Sequence, residues 1–195
     1  MSQLGTALSK LGIPWLLTLI SQSGLSIEGG PMIWPLLWFA PPFVVLHLAR
    51  AAAILDGVER MLLRSAAAVG LLMWLVAVPV SVLGNEEVAR TAYWVGVGVG
   101  SLLYSAAMFS FTTSMGWAQH RRRWRSTTAL LIVIEAGTAA IVIVSILTES
   151  VDPTLVANEG WQAVAILAAL ILTIVGLVKL ARIHRATWSA LRQAP

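Results

Sequence analysis

No cysteine occurs in the 195 residues of the chain. This absence excludes a disulfide framework, a zinc–thiolate site, an iron–sulfur cluster and a cysteine nucleophile. Charge is scarce too. Asp, Glu, Lys and Arg make up 11% of the sequence, where an ordinary soluble domain carries about 25%. Hydrophobic residues reach 58%, and the mean hydropathy is +0.83. One soluble core of this size does not hide so much apolar surface, and a disordered chain needs far less of it. Both classes are excluded. Histidine occurs three times, as His47, His120 and His184. None pairs with another at one depth of an apolar run, as a bis-histidine haem requires, so no cofactor is expected.

What the sequence does have is long uncharged runs. Those at 65–85, 91–113, 126–148 and 160–178 match the roughly 20 residues that a helix needs to cross a hydrocarbon layer of about 30 Å. They are rich in Leu, Ile, Val and Ala without strand-like alternation, which favours helices over a barrel. Two less regular runs precede them. Residues 11–27 contain Pro14 and the polar Ser21-Gln22-Ser23, and 31–49 contain Pro31, Pro35, Pro41 and Pro42. Glu28-Gly29-Gly30-Pro31 reads as a turn between them. A kink or break is expected near Pro41-Pro42, since proline removes an amide donor. The pair reads as a bent helical hairpin or as a re-entrant element. Lys10 followed by Leu11–Ile20 fits a signal peptide loosely, and Ser21-Gln22-Ser23 is a poor cleavage site. The expected fold class is all-α, a polytopic transmembrane helix bundle of six spans, five if residues 11–27 do not cross. The whole chain, 1–195, reads as one integral membrane domain.

The basic residues decide orientation. Lys10, then Arg50, Arg60 and Arg64, then Arg121, Arg122, Arg123 and Arg125, then Lys179, Arg182, Arg185 and Arg192 fall in alternate connections or tails; Arg90 alone falls in the other set. The positive-inside rule makes the richer side cytoplasmic, with both termini there. The expected location is the cell membrane. Trp34, Trp94 and Trp161 then lie near outer ends, and Trp117, Trp124 and Trp188 near inner ends, as interfacial anchors. Arg50–Arg64 is expected to lie as a helix along the inner surface, with Asp56 and Arg60 paired at i,i+4 and Ile54, Leu55, Val58, Met61 and Leu62 toward lipid or a partner. The basic tail 179–195 reads similarly.

Glu135 lies nine residues into its run, about 13 Å deep. An ionisable group near the midplane marks a proton or cation site or a polar helix contact. Thr128, Glu135, Thr138 and Ser145 share one helical face, expected to point into the bundle. Ser101, Tyr104 and Ser105 share a face at similar depth in the preceding span. The two stripes are expected to face one another, or else each bonds its own backbone. Ala92, Gly96 and Gly100 recur every fourth residue and read as a close-packing face. Gly96-Val97-Gly98-Val99-Gly100 lacks the strand and spacing of a phosphate loop. His120–Arg125 reads as a compact basic loop. It anchors topology, with anionic lipid headgroups or an acidic partner as possible ligands for Arg121, Arg122, Arg123 and Arg125. One such loop offers too little surface for nucleic acid.

Two enzyme templates fail on residues. Asp56-Gly57-Val58-Glu59-Arg60 has the start of a CDP-alcohol phosphotransferase signature. The further aspartates one turn apart are missing, because no aspartate occurs between Asp56 and Asp152. Intramembrane serine proteolysis needs a histidine within the spans. No catalytic residues, metal ligands or family resemblance emerge. Three functional readings follow, and the first leads. It is a helical subunit packing within a larger membrane assembly or homo-oligomer, without chemistry of its own. The second is a small proton- or cation-coupled carrier or channel using Glu135. The third is a membrane enzyme on a lipid-soluble substrate, disfavoured because only one carboxylate lies in the core of the spans.

Overall fold

The computed structural model describes residues 1–22, 33–84, 86–151 and 159–193. Among the described residues there are six helices: α1 (Ser2–Gln22), α2 (Ile33–Ile54), α3 (Gly57–Val82), α4 (Glu86–Ser114), α5 (Ala118–Val151) and α6 (Glu159–Gln193). No strand occurs among the described residues. Two stretches, Gly57–Val80 and Thr91–Ser114, are long and apolar enough to cross a membrane, and Ala40–Ile54 is a shorter apolar helix. The Glu28–Pro31 turn lies outside the described residues, as do the side chains of Trp34, Trp94 and Trp161.

Each helix packs against its neighbours in sequence, most extensively α3 against α4. The ring closes where α1 meets α6, and α1 also reaches α4. Short connections between successive helices make them antiparallel. The start of α1, α3 and α5 and the end of α2, α4 and α6 therefore lie together. All the basic residues except Arg90 belong to this end, called here the basic end.

Burial follows helical periodicity. The buried stripes are Leu4, Leu8, Leu11 and Trp15 on α1, then Tyr104, Met108 and Phe111 on α4, and Leu180, Ile183 and Leu191 on α6. With Leu48, Ala51, Leu55, Leu63 and Trp124 they form one core. That core sits toward the basic end. The apolar residues of α3 farther away, Leu71, Leu72, Leu75 and Val76, are exposed, as are Ile171, Leu172, Ile174 and Val175 on α6.

Several expectations are corrected here. The run His120–Arg125 is not a loop. The connection is Met115-Gly116-Trp117, and the arginines occupy the first turns of α5. Gly116 has φ +68, a left-handed conformation that costs glycine little. It closes α4 as a Schellman motif: Trp117 N–H donates to the Thr112 carbonyl at 3.0 Å and Gly116 N–H to that of Thr113 at 3.1 Å. Trp117 then packs edge-on against Phe111 at 6.3 Å. The segment 50–64 is not a surface helix either. α2 runs to Ile54, the chain turns at Leu55-Asp56, and α3 starts at Gly57. Asp56 and Arg60 do pair, and Arg60 Nε also donates to the Leu55 carbonyl. Leu55 is buried, whereas Ile54, Val58 and Met61 are exposed. Nor does the helix break at Pro41-Pro42, because α2 runs through both. The tail through Gln193 continues α6 and packs on α1, so it is core and not a surface helix.

Candidate functional site

The residues singled out in α4 diverge to three neighbours. Trp15 Nε1–H on α1 donates to Ser101 Oγ at 3.3 Å. The Tyr104 hydroxyl lies 2.8 Å from His184 Nδ1 on α6. The Ser105 and Thr128 hydroxyls bond each other, joining α4 to α5. The polar stripes of α4 and α5 thus meet at Ser105 and Thr128. The side chains of Thr138 and Ser145 lie outside the described ones.

His184 is the centre of this arrangement. Its Nε2 is 2.8 Å from the Leu8 carbonyl, which only accepts, so Nε2 carries the proton. Nδ1 is then an acceptor, and Tyr104 donates to it. Burial pushes the His184 pKa down to about 4, and the bond to Leu8 opposes that shift only in part. The ring is therefore neutral at pH 7. Trp15 packs edge-on against Tyr104, with ring centroids 4.4 Å apart, and Tyr104 packs edge-on against Trp124 at 5.7 Å. Trp124 is fully buried and donates to Thr187 Oγ1 at 2.9 Å. It is a core residue, which corrects its expected interfacial placement. Among the described residues, His47 Nδ1 alone is a buried side-chain polar atom without a hydrogen-bond partner.

Glu135 lies half-buried against α4 at Gly98. A Cβ on Gly98 would stand 2.6 Å from Glu135 Oε2 and 2.8 Å from its Cδ. Gly96 and Gly100 turn to α3 instead. A Cβ on Gly96 would stand 2.3 Å from Met73 Cβ, while one on Gly100 would meet only the Ala66 carbonyl, at 3.7 Å. Ala92, one turn earlier, is half-buried. Arg121, Arg122, Arg123 and Arg125 are exposed. Beside them, Lys179 Nζ donates to Ser126 Oγ.

A cleft of ≈ 520 Å³, counting space open to its surroundings, runs between α1, α2, α3 and α4. Among the described residues its lining carries no charge and includes Ser101 and Tyr104. Among the described residues no group of three His, Asp or Glu side chains is placed to hold a metal.

Sequence reasoning gave no site role to His184, Trp15 and Thr187 and read Trp124 as an interfacial anchor. A usable signal was present. Leu180, Ile183, His184, Thr187 and Leu191 follow the i, i+3, i+4, i+7 pattern of a helix face. Gly5 and Gly12 mark where α1 approaches that face: a Cβ on Gly5 would stand 3.1 Å from Arg192 Cγ, and one on Gly12 3.3 Å from His184 Nε2. The chain matches no family model, no curated protein and no solved structure.

Proposed function

We propose that the chain is a helical integral membrane subunit that packs within a larger membrane assembly and carries no chemistry of its own. In this reading its six helices cross the cell membrane, with the basic end and both termini cytoplasmic. The exposed arginines of α5 meet anionic lipid headgroups there, and the exposed apolar faces of α3 and α6 meet lipid or neighbouring subunits.

The supporting observation is how the polar side chains are used. Tyr104, His184, Trp124, Thr187, Ser105 and Thr128 bond one another or the backbone between helices. The Glu135 carboxylate occupies the place of a Gly98 side chain on the neighbouring helix: a Cβ there would stand 2.6 Å from its Oε2. These groups join helices. The alternative, a proton- or cation-coupled carrier, rests on the depth of Glu135 alone.

Purification in mild detergent tests the reading. The expected particle exceeds one 20.9 kDa chain and contains a second subunit, or further copies, in fixed ratio. A particle holding a single copy and no partner overturns it.

A further inference from the structure

At the basic end, the neighbouring helices α1 and α2 carry polar groups that the fold leaves unused. His47 on α2 is 8% exposed, and its enclosed Nδ1 has no hydrogen-bond partner among the described residues. Two cations stand within electrostatic reach of this ring: Arg50, three residues farther along α2, and Lys10 on α1. Both are exposed. Among the described residues the one ion pair joins Arg60 to Asp56, so neither cation has a carboxylate partner. Like charges from two helices thus gather about one buried imidazole without a counter-charge. An anion between them relieves their repulsion.

An apolar ladder leads away from each cation. On α1, Ile13 and Leu17 follow Lys10 at i+3 and i+7. On α2, Leu46 and Phe43 precede Arg50 at i−4 and i−7. Each set therefore shares one helical face with its cation. All four apolar side chains are exposed. Because the two helices are antiparallel, both ladders run from the basic end toward the middle of the bundle. Each ends about 10 Å beyond its cation, at 1.5 Å per residue. A free inorganic anion would use none of these apolar groups. An amphiphile with an anionic head and two hydrocarbon chains uses the cations and both ladders. Basic sites between helices at the cytoplasmic side of a membrane take anionic lipid headgroups for this reason.

We infer that the α1–α2 surface at the basic end binds one anionic phospholipid, its phosphate held by Lys10 and Arg50 beside His47, one acyl chain along Ile13 and Leu17 and the other along Leu46 and Phe43. This lipid site rests on the placement of the basic end at the inner membrane surface proposed above. It differs from a general attraction of the α5 arginines for headgroups in being single and saturable.

Native mass spectrometry of the full chain in mild detergent, with any partner that co-purifies, reads the lipid retained per chain. Phosphatidylglycerol is expected to bind at one tight equivalent. Phosphatidylcholine of the same chain length and soluble glycerol phosphate should fail to compete. Lys10→Gln and Arg50→Gln should each weaken binding about fivefold, the worth of one cation at such a surface. Arg64→Gln, which removes an exposed charge from α3, should bind as the parent does. His47→Phe keeps a ring without nitrogens. It should weaken binding yet hold thermal stability, because it removes an unpaired buried polar group. Equal competition by phosphatidylcholine, displacement by glycerol phosphate, equal loss with Arg64→Gln, or unchanged binding by His47→Phe would each overturn the inference. Failure of the membrane reading shows separately: alkaline carbonate would then strip the chain from vesicles. A chain that resists carbonate but shows no preference for phosphatidylglycerol overturns the lipid site alone.

Discussion

Tyr104 and His184 are 80 positions apart in sequence and 2.8 Å apart in the fold. The far side of the same imidazole bonds the Leu8 carbonyl. One neutral ring thereby ties α1, α4 and α6 together and closes the helix ring at its basic end. The bond from a phenol to an imidazole nitrogen exists only while that nitrogen is unprotonated, so this closure is sensitive to acid.

The sign of the pH dependence follows. The His184 pKa lies near 4 in the fold, against 6.5 when unperturbed. Between those values the unfolded chain binds a proton that the folded chain does not, so unfolding is favoured as pH falls. The contribution of His184 to stability is complete above about pH 6.5 and is lost progressively toward pH 4, by about 3 kcal/mol. Thermal midpoints in detergent from pH 7.5 to 4 should fall, and His184→Gln should flatten that fall. An identical slope in parent and variant would show that the ring is not the acid-sensitive group.

The glycines of α4 should separate by what faces them. Gly96→Leu must displace Met73 close to its backbone and is expected to cost about 1–3 kcal/mol, the usual penalty for overpacking. Gly100→Ala meets nothing closer than 3.7 Å. It should be neutral or stabilising by up to about 1 kcal/mol, from helix propensity. Gly98→Ala should fall between them, because the Glu135 carboxylate is the end of a flexible side chain and swings aside. Thermal unfolding of the three variants decides the order. Equal midpoints for Gly96→Leu and Gly100→Ala would falsify the assignment of Gly96 to the α3 contact.

Glu135 distinguishes the subunit reading from the carrier reading. Glu135→Gln keeps shape and hydrogen-bonding capacity but cannot release a proton, while Glu135→Ala loses both. For a structural group, Gln preserves stability and partner association, and Ala costs about 1–2 kcal/mol. For a carrier, Gln assembles normally and abolishes proton uptake in reconstituted vesicles. The expected outcome is an intact Gln variant beside a weakened Ala variant. Proton uptake present in the parent and missing with Gln would replace the subunit reading by the carrier.

The proposed orientation is open to thiol chemistry, because the chain has no cysteine to confuse labelling. A cysteine placed at Ser150 should react with an impermeant reagent from outside the cell, and one at Ser126 should not. A cysteine at Ser2 tests whether α1 crosses: labelling there from outside would mean five crossings. Reversed reactivity at Ser150 and Ser126 would invert the topology.

Much of the architecture was legible in the residues themselves. Long runs of Leu, Ile, Val and Ala leave helices as the only economical way to pair backbone groups, and all six elements are helices. The clustering of Lys and Arg marked which helix ends lie together. Gaps between charges, however, measure apolar length and not helix length, so α5 and α6 run past the expected limits into their basic segments. Nor does periodicity alone say what a stripe faces. Leu180, Ile183, Thr187 and Leu191, interleaved with arginine, make the same pattern whether the face lies on a lipid surface or on another helix. Trp124 has the same ambiguity, since indole suits an interface and a core with a hydrogen-bond acceptor equally well. Tertiary structure decided both cases by bringing α1 against α6 and Thr187 beneath Trp124. Those contacts join residues far apart in the chain, and no local spacing encodes a partner that only ring closure delivers.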